Sequence, residues 1–164
     1  METTMRRIRV RMALVAVVAM ITVFMVATQA DATGAQVTTG RFDTTQAGMD
    51  AGYDINGFAI MVRIPVGSDG ETLVRVLVRG LEPNKAYSTH VHNGTCESGG
   101  GSHYQEVVGG SVDAVNEIWP TVNTNQRGNG RGAASHGHWA RPEAQSIVIH
   151  EPGSGVRLAC AQLN

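Results

Sequence analysis

The stretch that most limits what this chain can become is Tyr87-Ser88-Thr89-His90-Val91-His92. On an extended strand successive side chains alternate between faces, so the two imidazoles of an H-x-H pair point the same way. Two imidazoles side by side on a rigid strand make half of a metal site. Standing alone, such a pair is also compatible with surface or core histidines satisfied by hydrogen bonds. All six histidines fall between positions 90 and 150, a clustering that points to chemistry rather than to structure.

The first 32 residues do not read as folded domain. Arg6, Arg7, Arg9 and Arg11 form a basic region, a largely apolar run follows from Met12 to Ala27, and Ala30-Asp31-Ala32 offers an A-x-A cleavage site. This is the pattern of a secretory signal helix. The apolar run falls short of the roughly 20 residues that a spanning helix needs, although an uncleaved anchor is the alternative and would make the membrane a partner. Arg6-Arg7 gives only weak support for twin-arginine export, and no cysteine near the cleavage point could carry a lipid. Residues 33–164 are then the single folded domain, of a length usual for one. After cleavage, nine Arg and Lys stand against twelve Asp and Glu, a mildly acidic balance without a basic run. Nucleic acid is not an expected partner.

Along residues 33–164 the signals are those of β-structure. Gln36 to Phe42 reads as a first strand, Ala47 to Gly52 as turn material, and Phe58 to Ile64 as a strand stopped by Pro65. Asp69-Gly70 marks a hairpin. Thr72 to Val78 is rich in β-branched residues but alternates poorly. Arg75 and Arg79 share a face there. A Pro83 turn leads into the histidine strand. Asn125 to Gly130 reads as another hairpin-type turn with Asn129-Gly130 as its tip, and Ile147-Val148-Ile149 and Val156 to Leu163 as the last strands. Twenty glycines, few aromatics and no convincing amphipathic helix predict an all-β domain. The expected fold is a Greek-key β-sandwich or flattened barrel, immunoglobulin-like in architecture. No internal repeat is visible.

Cys96 and Cys160 are the only cysteines, and in an exported protein a disulfide is the default reading. Cysteine metal ligation is the competing one, but the pair lacks C-x-x-C spacing. The Gly- and Ser-rich segment between Asn93 and Ser111 would, on its own, suggest a flexible linker. With Cys96 anchoring one side and His103 just beyond, a long ordered loop is the better reading. Asn93-Gly94-Thr95 is a glycosylation sequon, read as incidental.

Further landmarks follow the H-x-H pair in order. They are Cys96, then Gly101-Ser102-His103-Tyr104, then Ile149-His150-Glu151, and then Arg157 three residues before Cys160. From Gly80 to Cys160 this ordered set resembles the copper/zinc superoxide dismutase family. The resemblance implies copper held by His90, His92, His103 and His150, and a Cys96–Cys160 disulfide pinning the loop to the barrel. It also implies that Arg157 guides superoxide and that His103 is the bridging histidine, able to carry a proton. A surface ion pair with Glu151 or Glu143 is the alternative use of Arg157.

The zinc half of the family pattern is missing. Between Tyr104 and Ser135 there is no histidine, only Glu106, Asp113 and Glu117 as carboxylates. His136 and His138 come too late and are expected in an exposed loop, a second metal pair being the alternative. Only Glu151 to Val156 separates His150 from Arg157, where the family has a long charged loop. Both departures resemble the copper-only branch, so zinc is not an expected cofactor. In that branch a glutamate holds the bridging histidine. Glu117 is the candidate, with Glu106 and Asp113 as rivals. The expected function is therefore a secreted or periplasmic superoxide dismutase, an antioxidant oxidoreductase. The alternatives are a non-enzymatic extracytoplasmic copper-binding module on the same fold and a purely structural sandwich.

Overall fold

The computed structural model describes residues 34–164. The expected signal helix, residues 1–32, lies outside them. Nine strands run in the order β1 (Gln36–Thr44), β2 (Asn56–Ile64), β3 (Glu71–Arg79), β4 (Ala86–Tyr87) and β5 (Thr89–His92), then β6 (Val122–Thr124), β7 (Gly130–His136), β8 (Ser146–His150) and β9 (Arg157–Gln162). They form one sheet in the order β4-β6-β7-β3-β2-β1-β9-β8-β5, and every pair is antiparallel. Its two outermost strands, β4 and β5, are separated in the chain by Ser88 alone. A sheet whose opposite edges are joined by one residue has to roll up until they meet. The Ser88 carbonyl at that junction continues the β5–β8 pairing by accepting from the His150 amide at 2.8 Å. The all-β expectation holds, in the form of a nearly closed barrel.

The inside of the barrel follows from two-residue periodicity. On β3, Thr72, Val74, Val76 and Val78 are buried while Arg75, Leu77 and Arg79 are exposed, so this strand alternates cleanly. The sequence hid the alternation because Leu77 sits outside and Thr72 inside. The Thr72 hydroxyl is satisfied by donating to the His138 carbonyl at 2.7 Å. Facing residues from other strands complete the core, among them Phe42, Met61, Tyr87, Ile147, Ile149 and Leu158.

Two local expectations shift. Ala47 to Gly52 holds a single helical turn, α1 (Gln46–Asp50), because the Thr45 side chain caps it by accepting from the Gly48 amide at 3.1 Å. The β6–β7 hairpin does not turn at Asn129-Gly130. Asn125 Oδ1 accepts from the Arg127 and Asn129 amides, and Gly128 takes the positive φ of 73° that the turn requires. Gly130 is already paired with Thr124 on the strand.

His136 is a larger correction. It is buried at 3% exposure rather than lying in an exposed loop. Its register partner is Thr72, so the alternation of β7 turns its ring to the same buried side. His138, two residues on, is half-buried.

Residues 93–121 link β5 to β6 and carry the segments that surround His90 and His92. Their first part is ordered by its own backbone: the Asn93 amide donates to the Ser102 carbonyl and the Gly94 amide to the Gly100 carbonyl. The Cys96–Cys160 disulfide is formed and ties this loop to β9.

Candidate metal centre

Four histidines converge outside the barrel wall. His90 and His92 share a face of β5 because they are two residues apart. Their neighbour β8 pairs Val148 with His90, so His150, two residues further along, faces the same way. His103 enters from the connecting loop, where it forms an isolated antiparallel bridge with His92. The Tyr104 amide, bonded to the Val91 carbonyl at 2.9 Å, fixes that position. One nitrogen from each ring lies within 4.8 Å of the other three. Among the described residues, this is the only such group of three or more potential metal-binding side chains.

The hydrogen bonds show which nitrogen each ring presents. His92 Nδ1 lies 3.2 Å from the Gly101 carbonyl, and His150 Nδ1 lies 2.9 Å from the Gly155 carbonyl. A carbonyl can only accept, so both Nδ1 atoms carry the proton and both Nε2 atoms present a lone pair. Those two Nε2 atoms are 3.2 Å apart and buried. Two lone pairs facing each other repel, unless a cation lies between them. Ligands each about 2.0 Å from one ion, at angles of about 90 to 115°, keep a separation of about 2.8 to 3.4 Å. His90 adds a buried Nδ1 with no hydrogen-bond partner. Together these four rings could hold a metal ion.

Burial favours the neutral form of His90, His92 and His150, as ligation requires. Desolvation, followed by the neighbouring His103 and His150, pushes His90 down to about 4. Desolvation also takes His92 down to about 3 against the pull of the Gly101 carbonyl, and lowers His150. A set of four imidazole nitrogens suits a borderline transition ion.

Glu117 is the carboxylate that reaches His103. Its Oε2 accepts from His103 Nδ1 at 2.7 Å, which leaves Nε2 for the metal side. The side chain is almost fully buried. Burial alone would raise its pKa, but hydrogen bonds from Trp119, Gln105 and His103 outweigh that and hold it below the ordinary value. The two rivals are engaged elsewhere. Glu106 accepts from the Tyr104 hydroxyl at 2.7 Å, and Asp113 Oδ1 accepts from the Val115 and Asn116 amides.

Arg157 sits at the rim. Its guanidinium donates to the Gly99 carbonyl and, at 2.7 Å, to the Gly101 carbonyl, which also accepts from His92. Neither Glu151 nor Glu143 pairs with it: Glu143 lies against Arg141 at 3.7 Å. Two of its five N–H groups are used, and three remain for an anion. The His103 side chain keeps 31% exposure, so solvent reaches the site beside that ring.

Sequence reasoning gave no role to Gln105 or Trp119, both of which donate to Glu117. Only the proximity of Trp119 to Glu117 in the chain could have drawn attention to it. No protein-family model matches the chain, and no curated protein matches it.

Proposed function

We propose that this chain is an exported copper-dependent superoxide dismutase of the zinc-less kind. The observation that carries the reading is the pair of facing lone pairs on His92 and His150, with His90 and His103 completing an N4 set. His90, His92, His103 and His150 would hold copper, which supplies one-electron chemistry that zinc lacks. In the net reaction one superoxide gives up an electron and leaves as oxygen. A second superoxide gains that electron and two protons and leaves as hydrogen peroxide.

The residues of the chain divide the remaining work. Arg157 attracts and docks the anion with its free N–H donors, held in direction by the Gly99 and Gly101 carbonyls. His103 can hold a proton at Nε2 and hand it to the reduced anion, while Glu117 grips Nδ1–H and keeps the ring oriented. Residues 151–156 are a short turn, so Arg157 is the principal positive charge offered to the substrate. The disulfide is compatible with an extracytoplasmic location. Among the described residues, no helix is long and apolar enough to cross a membrane.

Stopped-flow decay of superoxide tests the reading. The copper-loaded protein is expected to consume superoxide catalytically, and Arg157→Ala to slow it roughly tenfold or more with copper content unchanged. Bound copper without catalysis would instead identify a copper-binding module.

A further inference from the structure

Histidine ligands are normally held by a second partner on the ring nitrogen that does not face the metal. Three of the four rings here follow the rule: His92 on Gly101, His150 on Gly155 and His103 on Glu117. His90 does not. Its buried Nδ1 is the unpartnered nitrogen offered to the metal, and among the described residues its Nε2 makes no hydrogen bond that could hold the ring. The side chain beside it is Trp119, whose ring centroid lies 5.4 Å from that of His90 at an interplanar angle of 54°.

The same tryptophan reaches a second ligand through its other end. Trp119 Nε1 donates to Glu117 Oε2 at 2.8 Å, onto the oxygen that accepts from His103 Nδ1. Gln105 Nε2 donates to the other oxygen, Oε1, at 3.0 Å. The placement is set by the backbone. Gln105 and Glu117 are bridge partners, and Glu117 and Trp119 stand two residues apart, so their side chains meet on one side. A buried carboxylate with one donor can pivot about that contact. With three donors over its two oxygens, its plane is fixed, and with it the direction from which His103 is gripped.

We propose that Trp119 is a positioning residue for two of the four ligands, acting on His90 by packing and on His103 through Glu117, with Gln105 completing the clamp. This rests on the copper reading above. The indole is suited to both tasks because it combines a broad apolar face with a single N–H donor at its edge. Phenylalanine keeps the face and loses the donor, and leucine loses both. The two routes are therefore separable by substitution.

The experiment compares copper(II)-loaded wild type, Trp119→Phe, Trp119→Leu and Gln105→Met. Each is measured for competitive copper affinity, the electron paramagnetic resonance spectrum, the pH profile of superoxide consumption and thermal unfolding. Trp119→Phe and Gln105→Met are expected to lower copper affinity roughly tenfold and to shift the pH profile, since both loosen Glu117. Trp119→Leu is expected to lose more and also to change the copper spectrum, since His90 is freed as well. Altered unfolding with unchanged affinity, spectrum and pH profile would make Trp119 a packing residue only and overturn the proposal. If wild type fails to bind copper in stoichiometric amount, the functional reading falls and the positioning role falls with it. If wild type behaves as proposed and the variants match it, only the positioning role falls.

Discussion

At the scale of single residues, the site depends on which nitrogen atoms are already committed. His92 and His150 spend their Nδ1 protons on backbone carbonyls, and His103 spends its own on Glu117. Glu117→Gln tests the last of these. A glutamine can accept from His103 only by turning its amide nitrogen toward Gln105, where two donors then face each other. Copper affinity is expected to fall about ten- to a hundredfold, measured by competition with a chelator. An unchanged affinity would remove Glu117 from its role. The four converging histidines were legible because each carries local context in the sequence, but the choice among Glu106, Asp113 and Glu117 was not. That choice is made by loop geometry. The Gln105–Glu117 bridge turns one carboxylate to His103, while the intervening alternation sends Glu106 to the Tyr104 side.

At the scale of elements, β5 and β8 provide a rigid wall and the 93–121 connection folds over it. The glycine run, suggestive of a linker by composition, is instead part of the packing. Gly100 has φ 90°, and a Cβ there would meet Val148 Cγ2 at 2.9 Å and His92 Nδ1 at 3.5 Å. Gly100→Ala is expected to displace the loop from the His92 ring, lowering both stability and copper affinity; native-like values for both would contradict this close packing. The disulfide closes a loop of 64 residues. The double variant Cys96→Ser, Cys160→Ser is expected to lose roughly 4 kcal/mol in urea unfolding, from the greater freedom of its unfolded chain. It is also expected to consume superoxide more slowly, since the Gly99 and Gly101 carbonyls that hold Arg157 lie in the released loop. Wild-type consumption by the double variant would show that these carbonyls stay in place without the bridge. The strands themselves were largely legible. The hairpin tip at Gly128 was not, because Asn129-Gly130 matches a tight-turn pattern while Asn125 builds a wider one.

At the scale of the whole molecule, a barrel wall that holds neutral histidines has a consequence for pH. Burial depresses His90 to about 4 and His92 to about 3, and lowers His136 and His150. In the unfolded chain these rings titrate near 6.5. As pH falls through 6.5 the unfolded state therefore takes up protons before the folded state does. The stability contributed by neutral burial is complete above 6.5 and is lost progressively toward the folded values. Metal-free protein is expected to unfold at lower urea at pH 5 than at pH 7.5, a window in which most carboxylates remain ionised. A flat or opposite trend would contradict it. Barrel closure was not readable from local signals, because it depends on Ser88 joining opposite edges of the sheet.

The most direct measurement is the metal content of the purified mature protein, taken together with superoxide consumption on the same sample. One copper per chain is predicted, with no equivalent of zinc and with a rate that rises in proportion to the copper bound. Substoichiometric copper, a full equivalent of tightly held zinc, or copper that consumes no superoxide would contradict the account.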